Sequence, residues 1–231
     1  MIDIAIITWP QNELRMRYFS QTILNLRRYV RDRPQHLRYL VSAESEGAPI
    51  GHRQEFESLC REYRVSLSWH DPPASIGGNF NAVLAKCESS HVLLMQDDWL
   101  LVHPVRLSEM ADFLDESPGF AMVRLSWSPR PQHTWRAAGL SSLWGTSCGP
   151  LWEIDRSSPY FYGDQPHVRR RDGLPLYVEG GNMGTAEVAF NGHLKRDKCR
   201  IAMTHVDLFE HLGSQSTRRD PYEVTSPEIH R

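Results

Sequence analysis

A chain of 231 residues that is 40% apolar, 23% charged and 10% aromatic has the length and composition of a globular domain, which excludes a disordered or collagen-like polymer. Its 26 Lys and Arg against 28 Asp and Glu leave a formal charge of −2, which argues against a generic nucleic-acid coat protein, so no nucleic-acid partner is expected. Cys60, Cys87, Cys148 and Cys199 lie far apart with no Cys-x-x-Cys pair, so neither a disulfide framework nor a zinc site is expected, and a reducing cytosol is the simpler setting.

Residues 2–8 form an Ile-rich run, as expected for a strand buried on both faces. The run is too short for a signal peptide and has no basic leader. No later stretch approaches the ~20 apolar residues of a spanning helix, so any membrane association is expected to be peripheral. Residues 14–30 carry Leu14, Tyr18, Ile23, Leu26 and Val30 at helical spacing. Strands are predicted at 37–43 and 65–69, with a helix at 53–64 between them. Pro72-Pro73 closes the third strand, Gly77-Gly78 opens a helix over 76–87, and 91–95 is a short apolar strand running into Gln96-Asp97-Asp98.

Alternating strands and helices predict an α/β fold, a mostly parallel central sheet with helices on both faces. Ligands of such sheets sit beyond the carboxyl ends of the strands. Thr8, Glu44, Asp71 and Asp97-Asp98 all fall at those ends.

The second half is less regular. A helix is expected at 104–114, a strand at 121–125, an exposed turn at Arg169-Arg170-Arg171-Asp172-Gly173, a helix at 184–194 and a final strand at 201–209. Between them, 126–159 mixes Trp127, Trp135, Trp144 and Trp152 with Pro, Gly and Ser. Such a segment is long enough for a lid. Its Trp faces either fill the core or stack on a flat ligand.

Asp97-Asp98 is the strongest chemical feature. Two adjacent carboxylates follow an apolar strand with no basic residue beside them, and like charges this close are costly unless a cation neutralises them. Oxygen donors suit Mg²⁺ or Mn²⁺. The plain alternative is a solvated acidic turn before the helix at Pro104. His211 is a second candidate ligand, against the plain reading of a surface imidazole, and His205 is read as structural.

The order of these features resembles a GT-A fold glycosyltransferase of the family 2 type, a Rossmann-like nucleotide-diphospho-sugar transferase. The resemblance rests on His91 to Trp99, on Gly77-Gly78-Asn79-Phe80-Asn81-Ala82-Val83, and on Phe209-Glu210-His211-Leu212-Gly213-Ser214, and it spans residues 2 to about 214. It implies a nucleotide-binding half (1–100), an acceptor-side half (101–213) and a flexible tail (214–231) within one domain. It implies sugar transfer from a UDP, GDP or dTDP donor to a hydroxyl of a small-molecule or saccharide acceptor, aided by Mn²⁺ or Mg²⁺.

Carried over by position, Asp98 and His211 would hold the metal, with Asp97 on the ribose or the coordination shell. Thr8 would line the donor cleft, Glu44 and Asp71 would contact base or ribose, and Asn81 the diphosphate or base. Trp99 would touch donor or acceptor. Glu187 would be the catalytic base of an inverting reaction, against the plain reading of a first-turn Glu favoured by the helix dipole; Glu179 and Asp164 are reserves. Arg218 or Arg219 would fold over the diphosphate. Two departures stand out: Gln96 occupies the first acidic position of Asp-x-Asp, and Phe80 replaces the usual Arg. A sugar-nucleotide nucleotidyltransferase and a non-catalytic binding module of the same fold remain the alternatives.

Overall fold

A computed structural model describes residues 1–45, 47–70, 75–125, 145–158, 161–179 and 183–212. The first half alternates as predicted: β1 (Ile2–Thr8), α1 (Glu13–Tyr29), β2 (Leu37–Glu44), α2 (Ile50–Glu62), β3 (Ser66–His70), α3 (Ile76–Lys86) and β4 (His91–Gln96). All seven residues of β1 are buried. Ile2, Ile4 and Ile6 pack on one face of the sheet with α1, α2 and the later helix α4 (Leu107–Glu116), while Ala5 and Ile7 pack on the other with α3 and α5 (Met183–Arg196). The two-residue period of a strand thus feeds two cores. No described helix is long and apolar enough to cross a membrane.

The described strands form a nine-stranded sheet in the order β3-β2-β1-β4-β9-β6-β10-β8-β7, with β6 (Phe120–Arg124), β7 (Gly145–Thr146), β8 (Gly149–Glu153), β9 (His167–Arg170) and β10 (Arg200–Thr204). β1, β2, β3 and β4 run parallel, as do β6 and β10, while β9 runs antiparallel to both its neighbours, β4 and β6. From β1 the chain winds outward through β2 to β3, then returns past β1 to β4. The strand order therefore reverses between β1 and β4, and their carboxyl ends border the crevice where open α/β sheets bind ligands.

Three expectations for the second half are corrected. The arginine run is not wholly an exposed turn, because His167–Arg170 is the central strand β9 and only the residues after it form the turn. Arg169 is 1% exposed, its guanidinium lying over the rings of Tyr177 at 5.9 Å and Phe190 at 5.6 Å. Backbone pairing on both sides of β9, with this aromatic bed beneath, outweighs the polarity of the side chain. The strand expected over 201–209 is two, β10 and β11 (Phe209–His211), the latter pairing antiparallel with the short β5 (Trp99–Leu101). Finally, α4 starts at Leu107 rather than at Pro104, because the Asp32 carboxylate accepts from the amides of Leu107 (2.6 Å) and Ser108 (3.1 Å) and so caps its first turn. Trp127, Trp135 and Trp144, the proposed lid segment up to residue 144 and the tail lie outside the described residues.

Candidate active site

The acidic doublet lies just past β4, against the end of β1. The Asp97 amide continues the ladder by donating to the Ile7 carbonyl at 3.1 Å. Its carboxylate is fully buried and fully engaged: the Thr8 hydroxyl donates to Oδ2 at 2.5 Å, and Arg15 Nη2 donates to Oδ1. Thr22 of α1 donates to the Asp97 carbonyl at 2.8 Å. Asp98 Oδ2 accepts from Arg15 Nη1 at 3.0 Å and stands 3.4 Å from His211 Nε2. Pairing of β5 with β11 brings His211 opposite Trp99, with their rings 4.6 Å apart, and the Leu212 amide donates to the Asp98 carbonyl at 2.8 Å.

The doublet's repulsion is therefore relieved within the protein. The linear sequence shows no basic neighbour, yet the fold supplies Arg15 from α1. Burial, the largest influence on Asp97, pushes its carboxyl up to about 6 against the pull of Arg15. Asp98 is also buried, but hydrogen bonding to His211 and the charge of Arg15 hold its carboxyl below the usual carboxylate range.

One oxygen stays open. Asp98 Oδ1 is buried and has no hydrogen-bond partner among the described residues. An orphaned buried acceptor calls for an ion or water. Among the described residues no three His, Cys, Asp or Glu side chains converge on a closed metal cage. A hard divalent ion needs none when substrate phosphates complete its shell and one or two protein donors hold it. Asp98 and His211 fit that donor set.

A second group of polar side chains adjoins the first. The Gln96 amide donates to Asp164 Oδ2 at 2.6 Å, and the Asp164 amide donates to Glu187 Oε1 at 3.3 Å. The missing first acid of Asp-x-Asp is thus a glutamine that holds another acid. Burial raises Asp164, opposed by the Gln96 hydrogen bond and reinforced by the charge of Asp98. Burial, and then the charge of Asp164, push Glu187 up to about 7. Fully buried Arg124, at the end of β6, is pushed down to about 10 by burial, while Glu187, Tyr162, Asp164 and Asp207 favour its charge. Asp98, Asp164 and Glu187 therefore share one electrostatic neighbourhood.

The remaining expected residues fall in several places. Glu44 is buried at the end of β2, next to Ala43, which pairs with Thr8. The Asn81 side chain is engaged with Tyr177: its amide nitrogen donates to the Tyr177 carbonyl at 2.9 Å and its amide oxygen accepts from the Tyr177 amide at 2.8 Å. Trp99 is 5% exposed and belongs to the hydrophobic core, with its ring beside that of His211. Glu179 is exposed beside Asn81, and His205 is exposed beyond β10. Asp71, Arg218 and Arg219 lie outside the described residues.

Arg15 and Arg124 were not expected. For Arg15 a signal exists: Asn12 is the N-cap of α1, its side chain accepting from the Arg15 amide at 3.0 Å, so Arg15 is a cation in a helix's first turn. The dipole disfavours a cation there unless something anionic compensates it.

No protein-family model matches the chain, and no curated protein matches it in sequence. Solved structures match it in fold. The S. aureus TarS 1-349 structure in complex with UDP-GlcNAc superposes with a TM-score of 0.59 at 15% identity, over 92% of this chain and 60% of that one. The mannosyltransferase PcManGT from Pyrobaculum calidifontis, in complex with GDP-Man and Mn²⁺, gives 0.57 at 14% identity, over 90% and 55%. Glucosyl-3-phosphoglycerate synthase from Mycobacterium tuberculosis, in complex with Mg²⁺ and UDP, gives 0.55 at 14% identity, over 91% and 71%. The chain spans 36% of the longer TarS structure. The fold is thus GT-A, the architecture of these enzymes.

Proposed function

We propose that this chain is a metal-dependent glycosyltransferase that moves a hexosyl or related sugar from a nucleoside-diphosphate donor to an acceptor hydroxyl. The observation that carries the reading is the Asp97-Asp98 doublet with His211 at the switch point of a GT-A sheet, linked through Gln96 and Asp164 to the proton-hungry Glu187. The relatives in fold bind UDP-GlcNAc, UDP or GDP-Man, two of them with Mn²⁺ or Mg²⁺, which supports the same ligand classes here.

Asp98 Oδ1 and His211 would hold the ion. Bound there, it supplies charge stabilisation to the departing diphosphate. Thr8, Thr22 and Arg15 keep the doublet in place, so Asp98 offers its open oxygen without rearrangement. Glu44, at the end of β2, and Asp71, next in sequence after β3, are assigned to base or ribose.

Glu187 is assigned as the base. A carboxylate whose proton affinity sits near the working pH combines availability with driving force. A Glu187 carboxylate oxygen takes the proton of the acceptor hydroxyl as the hydroxyl oxygen bonds to the anomeric carbon, and the diphosphate leaves with the electron pair of the broken bond between the anomeric carbon and the phosphate oxygen. Attack on the face opposite the leaving group inverts the anomeric centre. The Asp164 amide fixes one Glu187 oxygen, and Arg124 supplies compensating charge behind it.

Calorimetry with UDP, GDP and dTDP, with and without Mn²⁺, tests the reading. Metal-enhanced binding of one diphosphate is expected, and Glu187→Gln should retain it while losing transfer. Preference for a triphosphate would point to a nucleotidyltransferase, and full turnover by Glu187→Gln would move the base elsewhere.

A further inference from the structure

The acidic doublet carries its own cation. Arg15 grips it with both guanidinium nitrogens, Nη2 on Asp97 Oδ1 and Nη1 on Asp98 Oδ2. Both Asp97 oxygens are then engaged, since Thr8 donates to the second, and nothing of the residue reaches solvent. Two carboxylates and one guanidinium leave a single net negative charge. Asp98 Oδ1 is the carboxylate oxygen left open, with the His211 imidazole beside it. Among the described residues no third acid, histidine or cysteine completes a cage.

We infer that Arg15 is a resident counter-ion that keeps the doublet from acting as a bidentate cation trap, so that a divalent ion binds firmly only together with a diphosphate. The inference rests on the metal-dependent reading above. A doubly charged ion facing one net negative charge and one or two protein donors lacks both neutralisation and ligands, and phosphate oxygens supply both. A guanidinium suits this task, since it stays charged at every accessible pH and its planar fork spans two carboxylates. The coupling is reciprocal: whatever factor the diphosphate adds to ion affinity, the ion adds to diphosphate affinity. Arg15 is thus a positioning residue that sets the order and strength of ligand assembly.

The test is a Mn²⁺ titration followed by electron paramagnetic resonance, with no nucleotide and then with saturating UDP, GDP or dTDP. Wild type should bind Mn²⁺ weakly alone and at least about tenfold tighter with the preferred diphosphate. Arg15→Gln frees Asp97 Oδ1 and Asp98 Oδ2 and adds one negative charge, so Mn²⁺ alone should bind at least about tenfold tighter than to wild type. The further gain from diphosphate should shrink in that variant. Arg15→Lys, which keeps the charge, should stay near wild type. In Arg15→Gln/Asp97→Asn the charge returns to its original value, and Mn²⁺ affinity should fall back.

Arg15→Gln binding Mn²⁺ alone no tighter than wild type would overturn the inference. So would wild type that binds Mn²⁺ equally well with and without a diphosphate that it demonstrably takes up. If Arg15→Gln is unfolded, rescue by Mn²⁺ or by Asp97→Asn upholds the inference, and rescue by neither defeats it. If no nucleoside diphosphate binds, the glycosyltransferase reading falls, while the nucleotide-free comparison of Arg15→Gln with wild type still judges Arg15.

Discussion

As the proposed base, Glu187 is the residue at which stability and activity would oppose each other. Burial and the Asp164 charge raise its folded-state value from 4.5 to about 7. The folded protein therefore holds a proton that the unfolded chain releases between those values, and the resulting stability is lost as pH rises through 7. Glu187→Gln should accordingly be more stable than wild type at pH 8, by about 1 kcal/mol after discounting for its partial exposure, and equal to it at pH 4. Urea midpoints at the two pH values check this. A base must be ionised, so kcat/KM should fall below about pH 7. Removing the neighbouring charge in Asp164→Asn should move that acid limb toward lower pH, and an unmoved limb would dissociate Asp164 from the base. A strand end pointed to Asp97-Asp98, and the family resemblance pointed to His211 and Glu187. Nothing local pointed to Arg15, because its partners lie more than eighty residues along the chain, although a cation in the first turn of α1 was an anomaly available to be read.

At the scale of elements, the helix α3 is tied to the segment following β9 by two devices. Asn81 exchanges hydrogen bonds with both backbone groups of Tyr177. Gly77 lets the Val178 carbonyl approach so closely that a methyl group would sit 2.1 Å from its oxygen. The contact is backbone on backbone, so neither side yields cheaply. Gly77→Ala should cost about 1–3 kcal/mol, read as a lower urea midpoint with an unchanged slope. The Gly77-Gly78 pair was legible as a helix start, which the Ser75 cap confirms by accepting from the Gly78 amide at 3.2 Å. Its second role was not, because Val178 approaches from a segment a hundred residues away. β9 was hidden for a related reason: a strand with buried Arg169 breaks the apolar alternation by which strands are recognised, and the Tyr177 and Phe190 rings that help make that burial tolerable come from elsewhere in the chain.

For the whole molecule, the sheet order decides where chemistry is placed. A ligand that binds the crevice raises the thermal midpoint by mass action, about 2.7 kcal/mol of added stability at a hundredfold excess over Kd. Asp98→Ala removes the one open carboxylate oxygen, so Mn²⁺ should no longer enhance the diphosphate-induced rise in Tm, and an undiminished Mn²⁺ effect would dismiss Asp98 as a ligand. By itself the sequence determined the alternation of β1 to β4 with their helices, the mostly parallel sheet and the acidic doublet at a strand's end. Those features follow from hydrophobic periodicity and turn residues, which act over a few neighbours and can be read in a window. Only the tertiary structure decided that Arg15 neutralises the doublet, that Gln96 holds Asp164 against Glu187, that Asn81 serves α3, and that β9 runs through the sheet's centre. Charge pairing and directional hydrogen bonds depend on distances of a few ångströms between residues remote in sequence, and those distances exist only once the sheet has closed its order.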